Sequence, residues 1–310
     1  MYSRFMGIEV SVSEAQGQNQ RVISRAAAVQ DKESLLVRIA RSLRYAAYKS
    51  LAPADYLFRS MIQLKQYPPL QLRRHVGGMS AGFNGPGYEF HAYLRLLAEL
   101  RDGDSIWNIA CGCGMLELAL NAQGWQGLII GTDIHKPCID WAQKNLGSRF
   151  AGHSFVHMDI RKESYNPKGT LSTQEWVDGF AEKDFDVVVA KSLFTHVLPD
   201  ELSIYLKTIA SRLKADGKAL LTFFILSEEQ SRLAALGKNS MPFHPYLEDG
   251  RCAVYRPSAP TAAVAYEQQY LEDKLRSAGF KVTKDSVYFG SWTGRADGLS
   301  YQDIVLVEKA

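Results

Sequence analysis

Cysteine is scarce. The 310 residues carry four, Cys111, Cys113, Cys138 and Cys252. None forms a CxxC pair and no histidine cluster stands beside them, which argues against a disulfide framework and a structural zinc site. Reduced thiols are expected, and with them a cytoplasmic location. No run of about 18 apolar residues occurs, so no membrane-spanning helix is expected. The first residues lack the apolar core of a secretory signal. Charge of one sign is not in excess either, with 36 Lys+Arg against 33 Asp+Glu and a net charge of +3. Internal repeats and low-complexity segments are absent. What is present is ample apolar material, 46% of the chain, which excludes disorder as the main state.

The near-neutral total hides an uneven distribution. Residues 21–75 hold 11 basic and 3 acidic residues, a local surplus of +8. Within 31–51, Leu35, Leu36, Ile39, Leu43, Ala46 and Ala47 recur at helical spacing. Arg38, Arg41 and Arg44 fall on a neighbouring face. A basic amphipathic helix suits a solvated face, docking onto the acidic remainder, peripheral contact with an anionic membrane, or nucleic acid. Further helices are expected over 53–66 and 88–100.

From about residue 105 the pattern changes to short apolar runs alternating with helical segments. Strands are expected at 106–110, 127–131, 154–158, 185–190, 218–224, 281–289 and 304–307. Helices are expected at 115–122, 137–146 and 200–213. Alternation of this kind predicts an α/β fold with a seven-stranded, mostly parallel sheet covered on both faces. The last two strands read as an antiparallel hairpin at its edge. Residues 227–262, with Pro242, Pro245, Pro257 and Pro260, break the alternation and read as a lid insertion. The expected division is a helical N-terminal extension over 1–99 and a catalytic domain over 100–310.

The first strand runs into Asn108-Ile109-Ala110-Cys111-Gly112-Cys113-Gly114. A loop of small residues between a strand and a helix lets a ligand approach the backbone. The second strand ends at Asp133, 21 residues after Gly112, where an acid can accept hydrogen bonds from ribose hydroxyls. The third ends near Asp159 and Ile160, in reach of an adenine ring. Two nucleoside cofactors suit such a site. A nicotinamide dinucleotide wants a third glycine where Glu117 stands, and the combination with the two acids favours S-adenosylmethionine (SAM).

These residues resemble the class I SAM-dependent methyltransferases, whose first motif is an acid, an apolar residue and then G-x-G-x-G. Asp133 matches the ribose acid and Asp159 the adenine-side acid. Phe185-Asp186-Val187-Val188-Val189-Ala190 matches the fourth strand, and Leu213-Lys214-Ala215-Asp216-Gly217 the turn before the fifth. The likeness covers about residues 105–225. Residues 68–78, 192–196 and the tail from Gly290 to Ile304 are similar to a bacterial subgroup acting on small molecules and glycans. Two positions depart from the pattern. Asn108 replaces the acid, and Ala110 replaces the first glycine, which a methyl group tolerates if φ stays negative.

The resemblance implies a Rossmann-like fold, SAM as cofactor and S-adenosyl-L-homocysteine (SAH) as product. It implies cofactor contacts from Asn108, Ala110, Cys111, Gly112, Gly114, Asp133, Ile134, Asp159, Ile160 and Lys191. Arg74 is suited to the methionine carboxylate. His196, just after the fourth strand, is the candidate general base. Phe83, Tyr88, Ser192, Tyr255, Trp292, Arg295 and Tyr301 are the candidate acceptor-binding residues. Catechol-type relatives place a magnesium-binding acid at the end of the fourth strand. Ala190-Lys191 stands there, so metal independence is expected. The reaction expected is methyl transfer to a hydroxyl of a small molecule or sugar. N-methylation of a small amine, methylation of nucleic acid and SAM binding without catalysis are the alternatives. Against nucleic acid, the N-P-P-Y signature of amino-methylating enzymes is absent after the fourth strand.

Overall fold

The structure is a computed structural model that describes residues 50–76, 81–247 and 249–310, together with Leu43 and Ala47. Most of the helix expected over 31–51 therefore lies outside the described residues. The chain divides into two compact units, Met1–Met61 and Ile62–Ala310. In the first, α1 (Ala52–Met61) carries a buried i,i+4 ion pair between Asp55 and Arg59, at 2.9 Å.

The second unit opens with α2 (Leu70–Arg73) and α3 (Gly85–Leu96). Then strands and helices alternate: β1 (Ser105–Ile109), α4 (Met115–Ala122), β2 (Leu128–Asp133), α5 (Lys136–Ala142), β3 (His153–His157), α6 (Thr173–Gly179), β4 (Phe185–Ala190), α7 (Pro199–Arg212) and β5 (Leu213–Phe223). There follow β6 (Ile225–Leu226), α8 (Glu228–Ala235), β7 (His244–Pro245), β8 (Cys252–Val254), β9 (Val264–Glu267) and α9 (Gln268–Ala278). The chain closes with β10 (Phe280–Lys281), β11 (Val287–Tyr288) and β12 (Asp303–Lys309).

The main sheet runs β10-β12-β5-β4-β1-β2-β3, with β11 also paired to β12. Strands β1 to β5 are parallel, and β12 is antiparallel to β5. Side chains that alternate along the strands feed two cores. Val187, Val189 and Leu220 pack with Phe90 and Leu94 of α3 and Leu116 and Leu120 of α4. Val188, Ala190 and Leu221 pack on the other face, against Trp176 of α6, Leu206 and Ile209 of α7, and Leu271 and Leu275 of α9. The result is the three-layer, Rossmann-like arrangement expected, with the carboxyl ends of the parallel strands along one edge.

Two details differ from the sequence expectation. The strand expected over 281–289 is split into β10 and β11 by a 3₁₀ turn at Lys284–Ser286, where Thr283 and Ser286 bond each other's backbone. The turn expected at 213–217 lies inside the strand. Register passes from Phe185–Leu213 to Val187–Lys218, so the intervening residues bulge out. Gly217 permits that bulge, since a Cβ there would stand 2.9 Å from the Phe185 carbonyl oxygen.

The segment 227–262 is not bare loop. It holds α8, β7 and β8, and with β6 and β9 builds a second sheet, β6-β9-β8-β7. Asp303, fully buried at the start of β12, joins the two sheets. Its carboxylate accepts from Ile225 N, Gly290 N and Trp292 Nε1, each at 2.7 Å.

Candidate functional site

The glycine loop leaves β1 at Ala110 and enters α4 at Met115. Ala110 has φ +59°, so the condition under which its methyl group is tolerated without cost, a negative φ, is not met. A left-handed alanine costs about 1–2 kcal/mol, because its Cβ crowds the following carbonyl. Gly112 and Gly114 are also left-handed, at +59° and +77°. A side chain at Gly112 would meet Val76 at 2.3 Å, so the turn at Arg74–Val76 closes directly on the loop.

Asp133 stands at the end of β2 beside that loop. Its Oδ2 accepts from Gly112 N at 2.8 Å and its Oδ1 from His135 N at 2.7 Å. Burial pushes its carboxyl up, and the two amides hold it down. Each oxygen keeps a second lone pair, so the group can still accept from hydroxyls. Asp159 is half-buried and accepts from Thr170 Oγ1 at 2.6 Å and Asn166 Nδ2 at 3.2 Å, bonds that hold its carboxyl below the usual range. Ile134 is half-buried, and Ile160 is buried against Trp176 and Val177. A loop of small residues with an acid on each of the next two strand ends fits the nucleoside half of SAM.

Asn108 is buried under the loop and donates from Nδ2 to Glu117 Oε1 at 2.9 Å. Glu117 is completely buried, and its Oε2 has no hydrogen-bond partner among the described residues. Burial pushes the Glu117 carboxyl up to about 7, against the pull of Asn108. Sequence reasoning took Glu117 only as the residue that excludes a dinucleotide. The signal for more was an acid in an otherwise apolar first helical turn. Cys111 is buried in the same layer, and Arg74 lies in the turn over it.

After β4, Lys191 lies on the α3 side with its ammonium 5.4 Å from the centre of the Phe90 ring; burial lowers its pKa. Ser192 is left-handed, at φ +56°. Its N–H donates to Thr222 Oγ1 at 2.7 Å, and its hydroxyl donates to Gln302 Oε1 at 3.1 Å. Thr222 donates to the same oxygen at 2.7 Å. His196 follows in a 3₁₀ turn. Its Nδ1 lies 2.9 Å from the Thr261 carbonyl oxygen and 3.2 Å from the Tyr165 hydroxyl. A carbonyl only accepts, so Nδ1 carries the proton and the lone pair resides on Nε2. Burial lowers the His196 pKa, against the Thr261 bond.

The expected acceptor residues separate into two sets. Tyr88 and Tyr301 are exposed, and the Tyr301 hydroxyl lies 3.1 Å from Ser240 Oγ. Tyr255 is half-buried and stacked under the Arg256 guanidinium at 5.3 Å. Phe83 and Trp292 are fully buried. Phe83 packs on Tyr67, and Trp292 packs on Phe224 and Phe243 with its N–H used by Asp303. Arg295 is engaged by Glu229 and Asp297. Among the described residues no three His, Cys, Asp or Glu side chains group as a metal site. No helix among them is long and apolar enough to cross a membrane.

The methyltransferase domain family matches residues 86–284, well over half of the chain. The chain belongs to that family. It is a class I, SAM-dependent methyltransferase. Solved structures similar to it include the PH0226 protein of Pyrococcus horikoshii, at 20% identity over 74% of this chain and 92% of that one, TM-score 0.47. Another is magnesium protoporphyrin IX methyltransferase of Synechocystis with bound SAH, at 17% identity over 86% of this chain and 100% of that one, TM-score 0.47. A third is the Burkholderia thailandensis 1,6-didemethyltoxoflavin N1-methyltransferase, at 15% identity over 86% of this chain and 90% of that one, TM-score 0.47.

Proposed function

We propose that the methyltransferase transfers the methyl group of SAM to a hydroxyl of a small molecule or sugar, with His196 as general base. The observation that carries this reading is the bond from His196 Nδ1 to the Thr261 carbonyl oxygen, at 2.9 Å. It leaves Nε2 as the acceptor, and burial keeps the ring neutral near pH 7. A neutral, oriented imidazole suits removal of a hydroxyl proton.

In the cofactor role we assign the backbone of Ala110, Cys111, Gly112 and Gly114, with Asp133 toward the ribose and Ile134, Asp159 and Ile160 toward the adenine. Asn108, Lys191 and Arg74 are assigned to the methionine end. Bound SAM supplies an electrophilic methyl group. The protein aligns the acceptor with it, excludes water and takes up the proton. Ser192, Tyr88, Tyr255, Tyr301 and Arg295 are assigned to the acceptor side. The burial of Phe83 and Trp292 supports a role in shaping that wall from behind. An uncharged base and the polar cluster of Ser192, Thr222 and Gln302 favour a hydroxyl-rich acceptor.

The test is SAH release across sugars, nucleotide sugars and phenols, with mass spectrometry of the products. kcat/KM should rise with pH as His196 deprotonates, below the ordinary histidine value, and then stay flat. His196→Gln should lower kcat by about 10²-fold or more and remove that limb, while SAH binding by calorimetry stays the same. Unchanged turnover in that variant would exclude His196 as the base.

A further inference from the structure

The second sheet has two faces. Ile225, Cys252, Val254, Val264 and Tyr266 pack into the main core. Their neighbours Leu226 and Ala253 point the other way, as alternation along a strand requires, and they line a cavity of about 510 Å³. Helix α8 forms one wall. Ser227 caps that helix by accepting from Gln230 N at 3.1 Å. Gln230, Leu233 and Ala234 fall on one side of it at helical spacing, and Gln230 and Ala234 reach the cavity. Asn239 and Phe243, in the segment after the helix, line it too.

Gln230 does not serve packing. It is only 7% exposed, and its side-chain amide makes no hydrogen bond with any described residue. A leucine there would continue the apolar side begun by Leu233 and leave no amide unpaired. The amide opens on the cavity instead. Asn239 donates from Nδ2 to the Met241 carbonyl oxygen at 3.0 Å, which leaves its second N–H and its own carbonyl oxygen for a ligand.

This lining selects a chemistry. Among the described residues no charged side chain lines the cavity, so nothing there offsets the desolvation of an anion or a cation. A wholly apolar ligand would leave both amides unpaired. Vicinal hydroxyls meet both conditions, since each hydroxyl donates and accepts, as each amide does. Phe243 and Leu226 supply apolar surface for the C–H side of a ring. The volume is in the ordinary range of small-molecule sites.

We propose that this cavity binds an uncharged pyranose sugar through Gln230 and Asn239. It adjoins the acceptor side of the protein. Glu229, next to Gln230, holds Arg295. Ser240 Oγ, next to Asn239, lies 3.1 Å from the Tyr301 hydroxyl, and Phe243 packs edge-on against Trp292 with ring centres 5.5 Å apart. Neither Ser192 nor His196 lines the cavity. The sugar held here is therefore not the one that is methylated, and the acceptor is a glycan of two or more residues with another residue presented to His196. That consequence rests on the function proposed above, whereas sugar binding in the cavity does not.

Saturation-transfer NMR on the full chain tests the site, with glucose, galactose, mannose and N-acetylglucosamine as probes. At least one sugar should take up saturation, with or without SAH. Gln230→Leu should weaken its binding by about tenfold or more. Ala234→Trp, which fills the cavity and keeps both amides, should abolish it. Both variants should keep the parent's melting temperature and SAH affinity, and Asn239→Ala reads the same loss where Gln230→Leu does not fold. No saturation of any sugar overturns the proposal, and so does binding that the variants retain. Uracil bound in the cavity more tightly than every sugar would overturn the ligand class. With disaccharide acceptors, Gln230→Leu should raise KM and leave kcat unchanged. Sugar binding that the variants lose, without methylation of any glycan, would keep this site and overturn the glycan acceptor.

Discussion

Asn108 and Glu117 show why a departure from a family pattern need not be a loss. An acid at position 108 would stand about 3 Å from the Glu117 carboxylate, and two buried like charges that close are costly. Asparagine removes the clash and donates to Glu117 Oε1. The remaining charge is the weak point. The Glu117 carboxyl titrates at about 7 in the folded chain against an ordinary 4.5, so between those values the folded state binds more protons than the unfolded one. Stability from this group is full below pH 4.5 and is lost as pH rises through about 7. Glu117→Gln keeps an acceptor for Asn108 and cannot ionise. Its stability relative to the parent should be near equal at pH 4–5 and greater by roughly 3 kcal/mol at pH 8. Urea unfolding at both pH values measures this, and a difference independent of pH would exclude Glu117 as the titrating group. The loop motif and Asp133 were legible because their chemistry is backbone and local. The Asn108–Glu117 pair was not, because a helix residue meets a strand residue only once α4 has docked.

At the scale of elements, the strands of the parallel core were legible from the apolar runs, since each central strand is buried on both faces and needs no partner to be recognised, whereas their order in the sheet was not. Helix α9 was missed. Only Leu271 and Leu275 mark its buried face, and its signals are the side chain of Glu267, which accepts from Gln269 N and Tyr270 N, and the left-handed Gly279 at its end. The edge strands were misjudged in length because β10 and β11 follow β12 and not any pattern of their own. The join between the two sheets was invisible for a similar reason. Asp303 sits in a sequence with no special spacing to Ile225, Gly290 or Trp292, yet accepts from all three. Burial pushes its carboxyl up to about 6, and the three donors hold it down. Asp303→Ala should leave three buried donors without an acceptor and cost about 3–5 kcal/mol. The Trp292 fluorescence should change as the loop loosens. Denaturant unfolding gives the first quantity, and a loss under about 1 kcal/mol would mean that the two sheets hold together without this carboxylate.

For the whole molecule, the sequence divided the chain near residue 99, where helical extension gives way to strand alternation. The compact unit begins at Ile62 instead. Tyr67, Leu72 and Phe83 are core residues with Cys113 and Leu146 under the cofactor loop, and Phe90 and Leu94 form one face of the central sheet's cover. The onset of strand alternation set residues 1–99 apart, and the burial of Phe83, Phe90 and Leu94 favours placing their last third with the catalytic domain. The two boundaries predict opposite behaviour in truncated chains. A fragment of residues 62–310 keeps all of these apolar contacts, so it should melt cooperatively and bind SAH with an affinity within about threefold of the full chain. It drops 9 basic and 5 acidic residues, so its net charge falls from +3 to −1 and most of the basic surplus goes with the removed segment. A fragment of residues 100–310 loses five large core side chains. Each such loss costs about 2–5 kcal/mol, together about 10–25 kcal/mol, which matches or exceeds the roughly 5–15 kcal/mol of a typical domain. It should show no cooperative melt by circular dichroism. A folded, SAH-binding 100–310 fragment would restore the boundary read from the sequence, and an unfolded 62–310 fragment would show that the first unit is needed for the second to fold.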